Sequence, residues 1–186
     1  MNRRKIMIGA IIGSSALGVA ALAGIASHYR FLGDDDDDDD DDEGGRDAVI
    51  RGLRFAKVSL QQGLTASELE GQPISAKFEV DRGRFQLSVY TSKGGRFSEV
   101  LVDYSTGNIA KVEPITEGDD LAVAQSHGAA MSKAKVSLKE AVERAIGGAA
   151  GFRAISVIPN LKDDHAVASV LLFKGDETKI VNQTLD

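Results

Sequence analysis

Asp103, Thr106 and Gly107 stand in the stretch Val102-Asp-Tyr-Ser-Thr-Gly107, a spacing that raises two chemistries. A carboxylate and a hydroxyl three residues apart could act on a substrate. They could equally close a turn, the Asp side chain accepting from amides just ahead and the glycine taking a left-handed backbone. The turn accounts for all of them. The three histidines, His28, His127 and His165, belong to no H-E-x-x-H or other metal spacing. Asp163-Asp164-His165 reads as a hairpin tip, and Asp119-Asp120 as a helix N-cap pair beside the positive end of a dipole. Lys93-Gly94-Gly95-Arg96 lacks the following helix that a phosphate nest needs. There is no G-x-S-x-G elbow and no cysteine, which excludes thiol catalysis, disulfides and thiolate metal sites. No nucleophile–base pair can be named. The sequence therefore predicts no catalytic residue, no cofactor, no specific metal site and no enzyme.

Charge is divided by segment. The 186 residues carry a formal −6, but residues 1–33 hold four basic groups and no acid. An uninterrupted acidic block follows: Asp34, Asp35, Asp36, Asp37, Asp38, Asp39, Asp40, Asp41, Asp42 and then Glu43. The remainder balances its acids and bases, so it has no electrostatic footprint for nucleic acid. Ten adjacent like charges repel and bury nothing, which predicts an extended, solvated spacer that associates weakly with cations such as Ca²⁺. A specific calcium loop would alternate its ligands with turn residues.

Arg3-Arg4-Lys5 precedes a run without charge from Ile6 to Ala26, the layout of an export signal. Ala21-Leu22-Ala23 supplies a small-x-small cleavage site. The same run is long enough to remain as a signal anchor, so the membrane enters only through this segment, if it is uncleaved. Its arginine pair resembles a twin-arginine signal, although plain Sec-type charge is the commoner meaning of such a pair. The expected location is extracytoplasmic.

Elements that would position any site follow from a repeat. AKVSL occurs at Ala56–Leu60 and again at Ala134–Leu138. Ser59-Leu60-Gln-Gln62 and Ser137-Leu138-Lys-Glu140 both have capping-box form and predict two helix starts. Leu138, Ala141, Val142, Ala145 and Ile146 make an apolar stripe in the second helix; Gly63 and Ser67 weaken the first. After each helix the period changes to two, with Gly-bearing turns at Asp81–Arg84 and Lys93–Arg96, which predicts an antiparallel meander. Ile155-Ser156, Ser169-Val170 and Lys174-Gly175 match Ile74-Ser75, Ser88-Val89 and Lys93-Gly94 at a constant offset of 81. The expected fold class is α+β: two repeats, each one helix packed on an antiparallel β-meander. The expected division is a signal peptide or anchor at 1–27, a disordered poly-Asp linker at 28–46, repeat 1 at 47–115 and repeat 2 at 116–186.

Residues 50–186 resemble the PepSY domain family. Val58-Ser59-Leu60 and Val136-Ser137-Leu138-Lys-Glu140-Ala141 match the family's helix opening, and Glu99–Gly107, with Asp103, Thr106 and Gly107, matches its closing signature. The inter-repeat stretch Asp119–Lys135 is also similar to that of small exported tandem PepSY proteins. Gly63 departs from the family's small helix former, and the second copy has no D-x-x-T-G, so its sheet should be shorter. The resemblance implies a binding module that restrains a protein partner, a peptidase met in trans, with exposed sheet edges available to a partner strand. The alternative is a cation-binding or envelope-associated protein acting through Asp34–Asp42.

Overall fold

The computed structural model describes residues 40–175 and 177–186; the expected export leader and Asp34–Asp39 lie outside them. Four helices and seven strands follow in order: α1 (Asp40–Leu53), α2 (Leu60–Ser67), β1 (Gln72–Asp81), β2 (Arg84–Lys93), β3 (Arg96–Val102), β4 (Ile109–Ile115), α3 (Gly118–Lys133), α4 (Leu138–Gly147), β5 (Arg153–Lys162), β6 (His165–Lys174) and β7 (Glu177–Thr184). The α+β antiparallel expectation holds. No described helix is long and apolar enough to cross a membrane.

The two meanders are one sheet. Its order is β4-β3-β2-β1-β5-β6-β7, joined at the middle by antiparallel pairing of β1 with β5. Ala76 faces Val157 there, its own equivalent at the offset of 81, so a pseudo-two-fold axis passes through that pair. Register shifts fall between Pro73 and Ser75 in β1, and between Ala154 and Ser156 in β5, again at that offset. The hairpin tips agree too. Arg82 and Gly83 have φ of 47° and 76°, and Asp163 and Asp164 have 50° and 69°. Positive φ at both central residues is the hairpin turn whose twist matches the flanking strands.

One sheet face has an apolar centre. Ala76, Phe78, Leu87, Val89, Val100, Val102, Val157 and Val170 share it and are buried. Helices α1, α2 and α4 cover it. A Cβ on Gly52 of α1 would lie 2.2 Å from the Phe85 ring, and one on Gly63 of α2 would lie 2.4 Å from Leu87 Cδ2. Gly63, which weakened the helical pattern, is thus the residue that lets α2 reach the sheet.

Two expectations are corrected. Each repeat has two helices ahead of its meander, because the inter-repeat segment is the sixteen-residue α3. It lies on the sheet's opposite face, which is half polar, so it needs no strong apolar stripe. Its small residues permit close approach, with Ala124 and Ala130 buried and Gly128 against the Phe97 ring. Helix α1 begins at Asp40, and Val49, Ile50 and Leu53 anchor it in the core. Finally, Asp119-Asp120 is not the cap: Glu117 occupies the N-cap of α3 without a side-chain bond, and the two aspartates lie in the first turn.

Candidate functional site

The residues read from sequence sit at two equivalent joints. In repeat 1 the Ser59 hydroxyl accepts from the Gln62 amide at 3.2 Å, and Gln62 Oε1 accepts from the Ser59 amide at 2.8 Å. Leu60 behind it is buried. In repeat 2 Ser137 accepts from the Glu140 amide at 3.2 Å, and Leu138 is buried. The reciprocal half of that second box is missing, a further correction: Glu140 instead accepts from Arg144 at 2.6 Å. An arginine one turn on offers the carboxylate a charged partner in place of a neutral amide.

AKVSL does more than cap. The amides of Lys57 and Val58 both donate to the Tyr104 carbonyl, at 2.9 and 3.0 Å. The amides of Lys135 and Val136 both donate to the Leu185 carbonyl, at 2.6 and 3.0 Å. Each pentapeptide therefore ties its helix to the end of its own third strand. Asp103 completes the first tie. Its Oδ1 accepts from the Ser105 and Thr106 amides, both at 2.8 Å, and from the Ser105 hydroxyl at 2.6 Å. The Ser105 hydroxyl, followed by the two amides, lowers the Asp103 carboxyl to a pKa of about 2. Thr106 Oγ1 accepts from the Asn108 amide, and Gly107 takes φ 80° while its amide donates to the Asp103 carbonyl at 2.8 Å. Asp103 Oδ1, Thr106 Oγ1 and the Gly107 amide all take part in shaping this turn.

A polar cluster that sequence reasoning passed over lies beneath α3 in repeat 1, while in repeat 2 the Ser169 hydroxyl donates to Asn182 Oδ1 at 2.8 Å. The Tyr90 hydroxyl donates to Asp120 Oδ1 at 2.9 Å, pinning the start of α3 to the sheet. The Ser88 hydroxyl donates to Glu99 at 2.5 Å, Gln86 donates to Glu79 at 3.0 Å, and Lys77 pairs with Glu79 at 2.6 Å. Burial raises the pKa of the Glu99 carboxyl, with the hydrogen bond from Ser88 opposing it. Burial, then the bond to Asp120, also raises the Tyr90 phenol. The space among Ser75, Lys77, Ser88, Tyr90, Val123, His127 and Ile158 is about 10 Å³, too small for a substrate. No group of three or more His, Asp or Glu able to hold a metal occurs among the described residues. His165 Nδ1 lies 2.7 Å from Asp186 Oδ2, and Asp164 pairs with Lys133 across to α3.

The same sheet face differs in repeat 2. At the offset of 81, Lys77, Gln86, Tyr90 and Glu99 become Ile158, Val167, Leu171 and Ile180. Leu171 is paired with Ile180 across β6 and β7, and Ile180 is 48% exposed at the sheet edge. Among the described residues no strand covers the outer side of β7, whereas the equivalent strand β3 is covered by β4. The two sheet edges are also unlike in chemistry. Edge strands are commonly blunted by proline and charge, and β4 carries Pro114 and a Lys111–Glu113 pair at 2.7 Å. No proline interrupts β7, and its Lys179 ammonium lies 4.4 Å from the Phe152 ring centroid. The open edge of β7 with Ile180 and Leu171 beside it is the candidate site, a place to add a strand.

The chain matches no protein-family model, no curated protein and no solved structure.

Proposed function

We propose that this protein is an exported binding module of the PepSY kind that holds a protein partner by accepting one of its strands at the β7 edge. The observation that carries this reading is the contrast between the edges: β3 is flanked by β4, while among the described residues no strand flanks the outer side of its counterpart β7, beside exposed Ile180. Backbone hydrogen bonds would supply affinity, and alternate pockets along Leu171 and Ile180 would select apolar side chains in the added strand. The partner that the family resemblance implies is an envelope peptidase met in trans, restrained by the contact. The module itself has no catalytic role. Its leader delivers it outside the cytoplasm, as a cleaved signal or a retained anchor, and the Asp34–Asp42 tract spaces it from the membrane. Photo-crosslinking from position 180 in the native envelope tests this. A peptidase crosslinked at that position, and lost when Asn182→Pro removes an outward-facing edge donor, is the expected result. An unchanged set of crosslinks in the proline variant, or none from position 180, overturns it.

A further inference from the structure

The β7 edge is self-complementary, and we infer that in the absence of another protein it pairs antiparallel with the β7 of a second copy of this chain. The inference starts from the open edge of the proposed function and is independent of the peptidase partner. Within one chain the duplicated meanders already join in this manner: β1 meets β5 about the Ala76–Val157 pair, equivalent residues facing each other. That joint consumes the first edge of each meander. The second edge is covered by β4 in repeat 1, whereas among the described residues no strand covers it in repeat 2, so the same two-fold pairing can recur at β7.

Symmetry restricts the register. A two-fold axis normal to the sheet keeps each residue on its own face, so a residue must oppose one of the same parity. Ile180 placed opposite its own mate sets Thr178 against Asn182, Glu177 against Gln183 and Lys179 against Val181. No like charges then stand directly opposite, which would be unfavourable. The exposed Ile180 pair becomes buried on the same face as Leu171. A β4–β4 pairing is disfavoured, because Pro114 has no amide to donate. Each copy contributes seven strands to one continuous sheet. The pairing occupies the edge a partner strand would take, so partner and second copy compete for it.

The absence of cysteine makes the test clean. Full-length Ile180→Cys is oxidised beside full-length Leu69→Cys, whose position is exposed and away from β7. Preformed pairing makes disulfide formation effectively intramolecular, so the Ile180→Cys dimer should form on the order of a hundredfold faster. A mixture of Thr178→Cys and Asn182→Cys should likewise crosslink faster than either alone. Equal rates for Ile180→Cys and Leu69→Cys, or no dimer from Ile180→Cys, overturn the inference. Neither result bears on a crosslink to a peptidase in the envelope, which is read out separately.

Discussion

Repeat 1 and repeat 2 share a framework and differ in what lies on it. Both tie an AKVSL helix start to the end of a third strand, and both place a bulge and a hairpin tip at equivalent positions. They diverge where helix meets sheet. In repeat 1 Gly63 faces Leu87; at the equivalent places repeat 2 has Ala141 and Ala168, all four residues being buried. Helix and strand have exchanged volume, which is how a densely packed interior accommodates divergence between copies. The opposite face has diverged further, from a hydrogen-bonded polar cluster under α3 to the apolar residues beside an open edge. A duplicated unit thus keeps its joints and spends its variation on one face and one edge, where binding is free to evolve.

The largest effect expected concerns the exchanged pair. Leu87→Ala should cost about 2–5 kcal/mol through the cavity it leaves. Gly63→Ala should cost about 1–3 kcal/mol by overpacking, although alanine favours helices. Combined, they recreate the residue pair that repeat 2 carries at these places, so the double variant should be more stable than the sum of the single losses predicts. Chemical denaturation of all four proteins measures the coupling; strict additivity would mean that the two positions do not share space.

The caps sharpen the comparison at smaller scale. Ser59→Ala breaks a complete box and should cost about 1 kcal/mol; Ser137→Ala should cost less, since only half a box is present. Equal losses in thermal melts would show that the reciprocal bond from Gln62 contributes nothing.

Acid should act on repeat 1 through Asp103. The Asp103 carboxyl is held at about 2, below the ordinary value of about 3.9 for an unfolded chain. Its contribution is therefore complete above that ordinary value and is lost as pH falls through about 2. At the equivalent place repeat 2 has Thr184, which does not titrate. In melts from pH 5 to 2, Asp103→Asn should flatten the acid limb. An unchanged pH profile would place the sensitivity elsewhere.

Much of this framework was legible because it is local. Capping boxes, Gly-bearing turns and period-two strands are written within ten residues of chain, and a constant offset exposed the duplication. Three features were not legible. The β1–β5 joint depends on which edges meet, and no local pattern encodes that choice. Helix α3 was hidden by its composition, since Ala124, Gly128 and Ala130 are small for close packing and make no strong stripe. The Tyr90–Asp120 and Ser88–Glu99 bonds join residues 30 and 11 positions apart. A signal for the polar cluster did exist in the second face of the strands, where Lys77, Ser88 and Tyr90 alternate with the core residues. The candidate site was legible only as a general expectation of exposed edges; choosing β7 required the strand order.

The fusion of both repeats into one sheet is tested most directly by nuclear Overhauser contacts across the joint. Cross-strand contacts of Ala76 with Val157 and of Lys77 with Ser156 are predicted, alongside those within each meander. Intact contacts inside both meanders with none between β1 and β5 would contradict the single sheet and its pseudo-two-fold axis together.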